Sequence, residues 1–133
     1  MSEAVLDASV VLKWFHSEGE AHVEAAREIR GLYESGELYV LAPPLLWLEL
    51  INVAARSWHR SGKQLDSLAA TLPQLGFEVV HPGLPRLASW AASGLTAYDA
   101  AYVTVAEEAG VALITDDAGI LQVAPEIAVA LAG

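Results

Sequence analysis

Cysteine is absent from this chain. That excludes disulfides and thiolate metal sites, and it agrees with a cytoplasmic home. Cations are scarce: seven Lys and Arg stand against seventeen Asp and Glu, for a formal charge of −10. Holding nucleic acid by bulk electrostatics requires an excess of Lys and Arg, so that mode is excluded. Local binding of a cation, a basic partner or plain solubility all agree with the acidity. There is no glycine-rich phosphate loop, and the four histidines (His16, His22, His59 and His81) are scattered through surface-like or loop contexts. Long hydrophobic runs are missing too. Uncharged stretches such as 38–48, interrupted by Pro43 and Pro44, are too short to span a bilayer. The opening MSEAVLDASV carries Glu3 and Asp7 where a signal peptide would carry basic residues. The expectation is a cytoplasmic protein with no membrane segment.

What is present is core-forming material. Apolar residues make up 54% of 133 residues, and the mean hydropathy is +0.38. That is enough for one domain covering residues 1–133 with a sizeable core. The pattern predicts strands at 1–6, 38–42, 77–80 and 111–115, with 127–131 as a candidate fifth. Helices are expected at 8–15, 18–35, 45–61, 64–72 and 84–93, at 96–109 behind a Thr96 cap, and at 117–123. Gly36, Gly62, Gly94 and Gly110 act as helix stops. In the 18–35 helix, Ala21, Ala25, Ile29 and Leu32 form the apolar stripe. Strands such as VALIT are apolar at nearly every position, as when helices cover both faces of a sheet. The fold class is therefore α/β, with a mainly parallel sheet of four to five strands.

The acids are unevenly typed. Most of the twelve Glu lie in helical stretches, whereas four of the five Asp do not follow that pattern. Asp7 follows the run AVL, Asp99 lies in LTAYDAAYV, and Asp116 and Asp117 follow VALIT. Ligands of an open parallel sheet bind beyond the carboxyl ends of its strands, which sends Asp7 and the 116–117 pair to one edge. Glu49 and Asp99 sit early in their helices and can reach it. Each has a plainer role as well. Asp7 can cap a helix, Asp99 can answer a helix dipole, and Asp116 or Asp117 can open a turn. Glu49 is the only charge between Glu37 and Arg56, and a lone carboxylate on so apolar a helix implies a partner. Carboxylates crowded together raise one another's pKa. A hard divalent ion, Mg²⁺ or Mn²⁺, relieves that repulsion with few protein ligands, because it keeps several waters.

Taken together, VLDASVVLKWF, PPLLWLELINVAAR, LTAYDAAYVTVAEEAGVALIT and the following DDAGIL resemble PIN-domain proteins, and among them the VapC-type toxins of VapBC toxin–antitoxin pairs. The resemblance covers nearly the whole chain. It implies a PIN-like three-layer α/β/α domain and an endoribonuclease dependent on Mg²⁺ or Mn²⁺. Such an enzyme would cut tRNA or rRNA and block translation. It also implies a cognate antitoxin and a homodimer. The family's acidic quartet falls on Asp7, Glu49, Asp99 and Asp117, as catalytic and metal-holding residues. Ser9, Thr115 and Asp116 fall on supporting positions, with Asp116 as an alternative ligand.

RNA must then coexist with the acidity. Lys13 follows Asp7 by one helix, and Arg56, Arg60 and Lys63 recur at helical spacing. They are the candidate phosphate contacts, or else the solvated end of a helix. Trp14, Trp47 and Trp58 suit core or interface packing better than base stacking. A non-catalytic acidic binding module and an inactive PIN domain are the rival readings. A phosphoacceptor receiver is disfavoured because no Lys follows position 63, and an Asp-x-Asp phosphatase because Ala8 and Ser9 follow Asp7.

Overall fold

The computed structural model describes residues 2–132. Five strands, β1 (Ser2–Leu6), β2 (Leu38–Ala42), β3 (Glu78–Val79), β4 (Ala112–Thr115) and β5 (Ala128–Ala130), form one sheet in the order β3-β2-β1-β4-β5. Every pairing is parallel. In register, Val5 lies between Leu41 of β2 and Leu113 of β4. Ala4, Val5 and Leu6 are all buried, because the central strand is covered on both faces.

Among the described residues, seven α-helices connect the strands: α1 (Ala8–Phe15), α2 (Val23–Glu34), α3 (Leu45–Arg56), α4 (Gly62–Thr71), α5 (Leu84–Ala92), α6 (Ala97–Ala109) and α7 (Ala118–Val123). From β1 the chain steps outward to β2 and β3, then returns past β1 to β4 and β5. With right-handed crossovers, that reversal places α1–α4 over one face and α5–α7 over the other. The packing divides the same way: α1 lies on α2 and α3, α3 on α4, and α5 on α6. The reversal point lies between β1 and β4, and it is beyond the carboxyl ends of the strands at such a point that open parallel sheets bind ligands.

Helix α6 is the buried spine. Ala100 through Ala106 are all inaccessible, so this helix has no solvent face over two turns. Thr104 is 0% exposed, and among the described residues its hydroxyl has no hydrogen-bond partner. An unmet buried hydroxyl is destabilising. Thr104→Val is therefore expected to stabilise the fold by about 1 kcal/mol, read as a higher urea midpoint with unchanged slope.

Several boundaries differ from the sequence expectation. The first predicted strand included Met1, which lies outside the described residues. The helix expected over 18–35 begins only at Val23, because Gly19 and His22 both adopt left-handed backbone (φ 75° and 59°). Ala21 thus lies outside it, and its inward face turns on buried Ala26, with Leu32 exposed. The helix expected over 45–61 ends at Arg56. Gly62, read as its stop, instead opens α4. Ser61 caps that helix, with its hydroxyl accepting from the Gln64 N–H and the Gln64 side chain accepting from the Ser61 N–H. This is the S-x-x-Q capping signature. β3 is two residues rather than four, and residues 72–75 form a 3₁₀ turn.

Candidate active site

Asp7 leaves β1 as its ladder ends and has extended backbone at the head of α1. Its side chain makes no capping bond. Instead it is 4% exposed and accepts from two hydroxyls: Ser9 Oγ at 2.6 Å and Thr115 Oγ1 at 2.5 Å. Each hydroxyl also accepts a backbone N–H from the turn after β4. Ser9 Oγ takes that of Asp116 at 2.9 Å, and Thr115 Oγ1 takes that of Asp117 at 3.0 Å. Two small alcohols therefore join the turns after β1 and β4, with their protons committed to Asp7.

Asp117 caps α7, one carboxylate oxygen accepting from the Ile120 N–H at 3.0 Å. Its second oxygen makes no hydrogen bond among the described residues. Asp99 sits in the first turn of α6, behind Thr96, whose hydroxyl accepts the Asp99 N–H at 3.0 Å. One turn further along α6, Tyr102 donates its phenol to Glu49 on α3.

The electrostatics link all four acids. Burial, opposed by the Ser9 and Thr115 hydroxyls and reinforced by Asp117 and Asp99, pushes Asp7 up to about 6. Asp99 is raised by burial and then by Asp117. Glu49 is raised by burial and by Asp99, against the Tyr102 hydrogen bond. The Tyr102 phenol is itself pushed up by burial and by Glu49, so it stays a donor. Asp7, Glu49, Asp99 and Asp117 thus share one electrostatic neighbourhood at the sheet's reversal point.

Asp116 faces elsewhere. Its carboxylate meets Lys13 Nζ at 3.3 Å and His22 Nδ1 at 2.8 Å, and Lys13 also reaches Glu20 at 3.6 Å. Lys13 is 7% exposed. The expectation of Lys13 as a surface phosphate contact does not fit this burial and double pairing. His22, read as a bystander, takes part in the network. An Asp116→Asn variant leaves Lys13 with one distant acid and is expected to lose about 1 kcal/mol in a thermal or urea melt.

Sequence reasoning missed Tyr102. Its signal was the i, i+3 spacing from Asp99, which puts both on one helix face. Trp14 and Trp47 pack as expected. The Trp14 indole N–H donates to the Ala26 carbonyl at 2.9 Å, and Trp47 stacks on Phe77 at 5.8 Å.

Among the described residues, no three acids or histidines close on a point as a preformed metal cage. Like charges hold one another off, and an ion that keeps its waters does not need them in contact. The donor set fits a hard divalent cation: carboxylate oxygens flanked by hydroxyls, with no sulfur, and with the His22 imidazole engaged by Asp116.

A family model described as the PIN domain matches residues 4–125. Among solved structures, the chain is similar to PAE2754 from Pyrobaculum aerophilum, at 24% identity and TM-score 0.69 over 98% of this chain and 90% of that one. It is similar to FitAcB from Neisseria gonorrhoeae at 19% identity and TM-score 0.67, over 94% and 95% of the two chains. A toxin–antitoxin complex from Klebsiella pneumoniae shares 18% identity at TM-score 0.61, over 96% and 97%. These likenesses are of fold. No curated relative matches the chain in sequence.

Proposed function

This chain belongs to the PIN-domain family, and on that premise we propose that it is a divalent-metal-dependent endoribonuclease of the VapC toxin type, with residues 1–133 acting as one nuclease domain. What supports this is the mutual charge repulsion that ties Asp7 to Asp99 and Asp117 and Asp99 to Glu49, three of the four acids having raised pKa values because burial and that repulsion oppose their charge. Such a set is poorly stable as bare anions and well suited to a cation.

Asp7, Glu49, Asp99 and Asp117 would hold Mg²⁺ or Mn²⁺, directly or through water. The bound ion supplies charge to the scissile phosphodiester and makes water a stronger nucleophile. Ser9 and Thr115 keep Asp7 oriented by donating to both of its oxygens. Tyr102 fixes Glu49, and Asp117 is held by its capping bond with one oxygen left over. Asp116, engaged by Lys13 and His22, braces the turn and is not a ligand in this reading. Arg56, Arg60 and Lys63 would contact RNA.

A cognate antitoxin is part of the proposal. The fold likeness to the Klebsiella toxin–antitoxin complex supports it, as does the −10 charge, which suits a basic inhibitor segment. A homodimer is proposed as well, covering Leu48 and Tyr98, which are 67% and 63% exposed beside Glu49. RNA as the target, translation arrest as the outcome and the cytoplasm as the setting complete this reading. Among the described residues no helix is long and apolar enough to cross a membrane.

The test is digestion of total RNA with and without Mg²⁺, comparing the native chain with Asp7→Asn and Asp99→Asn. Metal-dependent cutting lost in both supports the nuclease. Cutting that survives both substitutions removes the carboxylates from the mechanism.

A further inference from the structure

Four of the seven cations are committed to acids. Lys13 pairs with Glu20 and Asp116, Arg27 with Glu24, Arg30 with Glu34, and Arg86 with Glu107. Among the described residues, Arg56, Arg60 and Lys63 enter no ion pair. All three fall in RSWHRSGK, residues 56–63, which contains no acid. In a chain of charge −10, every Lys and Arg without an ion pair among the described residues therefore lies in one eight-residue segment.

The backbone of that segment is broken rather than helical. It runs from the end of α3 to the start of α4, with His59 in left-handed conformation at φ 53°. The break places Trp58 beside a cavity of about 250 Å³ at the far ends of α1 and α3. Phe15, Ala54 and Leu68 give it apolar walls, and Arg60, Gln64 and Ser67 give it a polar rim. His16 stacks on Trp58 at 4.7 Å, and the Arg60 guanidinium lies over the indole ring, 5.7 Å from its centroid. The Gln64 carbonyl oxygen is taken by the Ser61 N–H, so its amide protons remain free to donate.

We propose that this cavity is a subsite for one unpaired base of a single-stranded RNA, which takes the place of the His16 ring on Trp58 beside Arg60, with Arg56 and Lys63 on the adjoining phosphates. The inference rests on the ribonuclease reading above and goes beyond it by placing a base-binding subsite away from the four acids. The cavity is smaller than the roughly 300–1,000 Å³ typical of small-molecule sites, which suits a single ring system. Aromatic stacking with an adjacent guanidinium is the general chemistry of single-strand binding. Charge decides the occupant: a basic protein segment, drawn to the chain as a whole, is repelled at residues 56–63, whereas a phosphate backbone is attracted.

Both α1 and α3 leave the carboxyl edge of the sheet and end at the cavity. At about 1.5 Å per residue, the eight residues from Asp7 to Phe15 cover roughly 12 Å. The captured base would lie about four stacked nucleotides from the scissile bond, at roughly 3.4 Å each.

The test uses the full chain carrying Asp99→Asn and a labelled single-stranded RNA dodecamer in Mg²⁺, read by fluorescence anisotropy. Adding Trp58→Leu is expected to weaken binding about 5- to 100-fold, with Trp58→Phe recovering most of it. An abasic nucleotide at one position should weaken the parent similarly and leave Trp58→Leu unaffected. Arg56→Gln and Lys63→Gln should each lower the salt slope by about 0.7. Arg60→Gln provides a second probe if Trp58→Leu melts early. Equal affinity across these variants, abasic losses independent of Trp58, or no binding by the parent overturns the subsite. Metal-dependent cutting with unchanged RNA affinity in the Trp58 variants sinks the subsite alone. RNA binding through Trp58 without metal-dependent cutting sinks the nuclease alone.

Discussion

Replacing Asp7 with Asn is expected to make the metal-free protein more stable at pH 7, by about 1–2 kcal/mol. The Asp7 carboxyl is pushed from 3.8 up to about 6 by burial, so holding it ionised in the folded state opposes folding. At ~1.36 kcal/mol per unit that opposition is roughly 3 kcal/mol at neutral pH. Some of the gain is lost because Asn accepts well from only one of the two hydroxyls, Ser9 or Thr115, which costs about 1 kcal/mol.

The sign with pH follows from linkage. Between 3.8 and about 6 the folded state holds a proton on Asp7 that the unfolded state has released. Stability from this group is therefore present at acid pH and falls as pH rises through that window. The native chain should lose stability there relative to Asp7→Asn, and the difference between their urea-derived curves isolates this group from exposed pairs such as Arg86–Glu107. Saturating Mg²⁺ should raise the melting temperature of the native chain and leave that of Asp7→Asn nearly unchanged. A variant less stable than the native chain at pH 7 would mean that Asp7 is structural.

Glu49→Gln, Asp99→Asn and Asp117→Asn are each expected to lower kcat/KM for RNA cleavage at least about 100-fold, or ~2.7 kcal/mol of transition-state stabilisation. The amides preserve shape. Asn at 117 still caps α7 through its side-chain oxygen, and the Asp99 backbone bond to Thr96 is untouched. The loss is therefore of charge, not of fold, and circular dichroism melts should confirm it. Tyr102→Phe leaves Glu49 charged but without its donor, and about a tenfold loss is expected. Asp116→Asn should stay within about threefold of the native rate, because its carboxylate faces Lys13 and His22. If Asp116→Asn abolished cutting and Asp117→Asn spared it, the two would have to exchange roles.

The sheet was readable because buried parallel strands announce themselves. AVL and VALIT are apolar without alternation, and each ends in an acid at the same edge. Glu49 was readable for the opposite reason, as the one charge on an apolar helix. Tyr102 escaped notice because α6 is buried all round, so no polar face marked it out. Lys13 was misjudged because a lysine on a short helix reads as exposed; its burial depends on Glu20, His22 and Asp116 arriving from two other segments. The break after Arg56 was missed because helix propensity runs through AARSWHR without a proline or glycine. The end of α3 is closed by backbone bonds from Trp58 to Val53 and from Arg60 to Ala54, and the Ser61 cap that starts α4 depends on local side-chain bonds that periodicity does not register.

The most direct measurement is a Mn²⁺ titration of the full chain at pH 7, followed by electron paramagnetic resonance of the free ion. The native chain should take up Mn²⁺ saturably, with Mg²⁺ competing, and uptake should weaken at least about tenfold in each of Asp7→Asn, Asp99→Asn and Asp117→Asn while Asp116→Asn binds like the native chain. Native-like uptake by all three quartet variants would contradict the account.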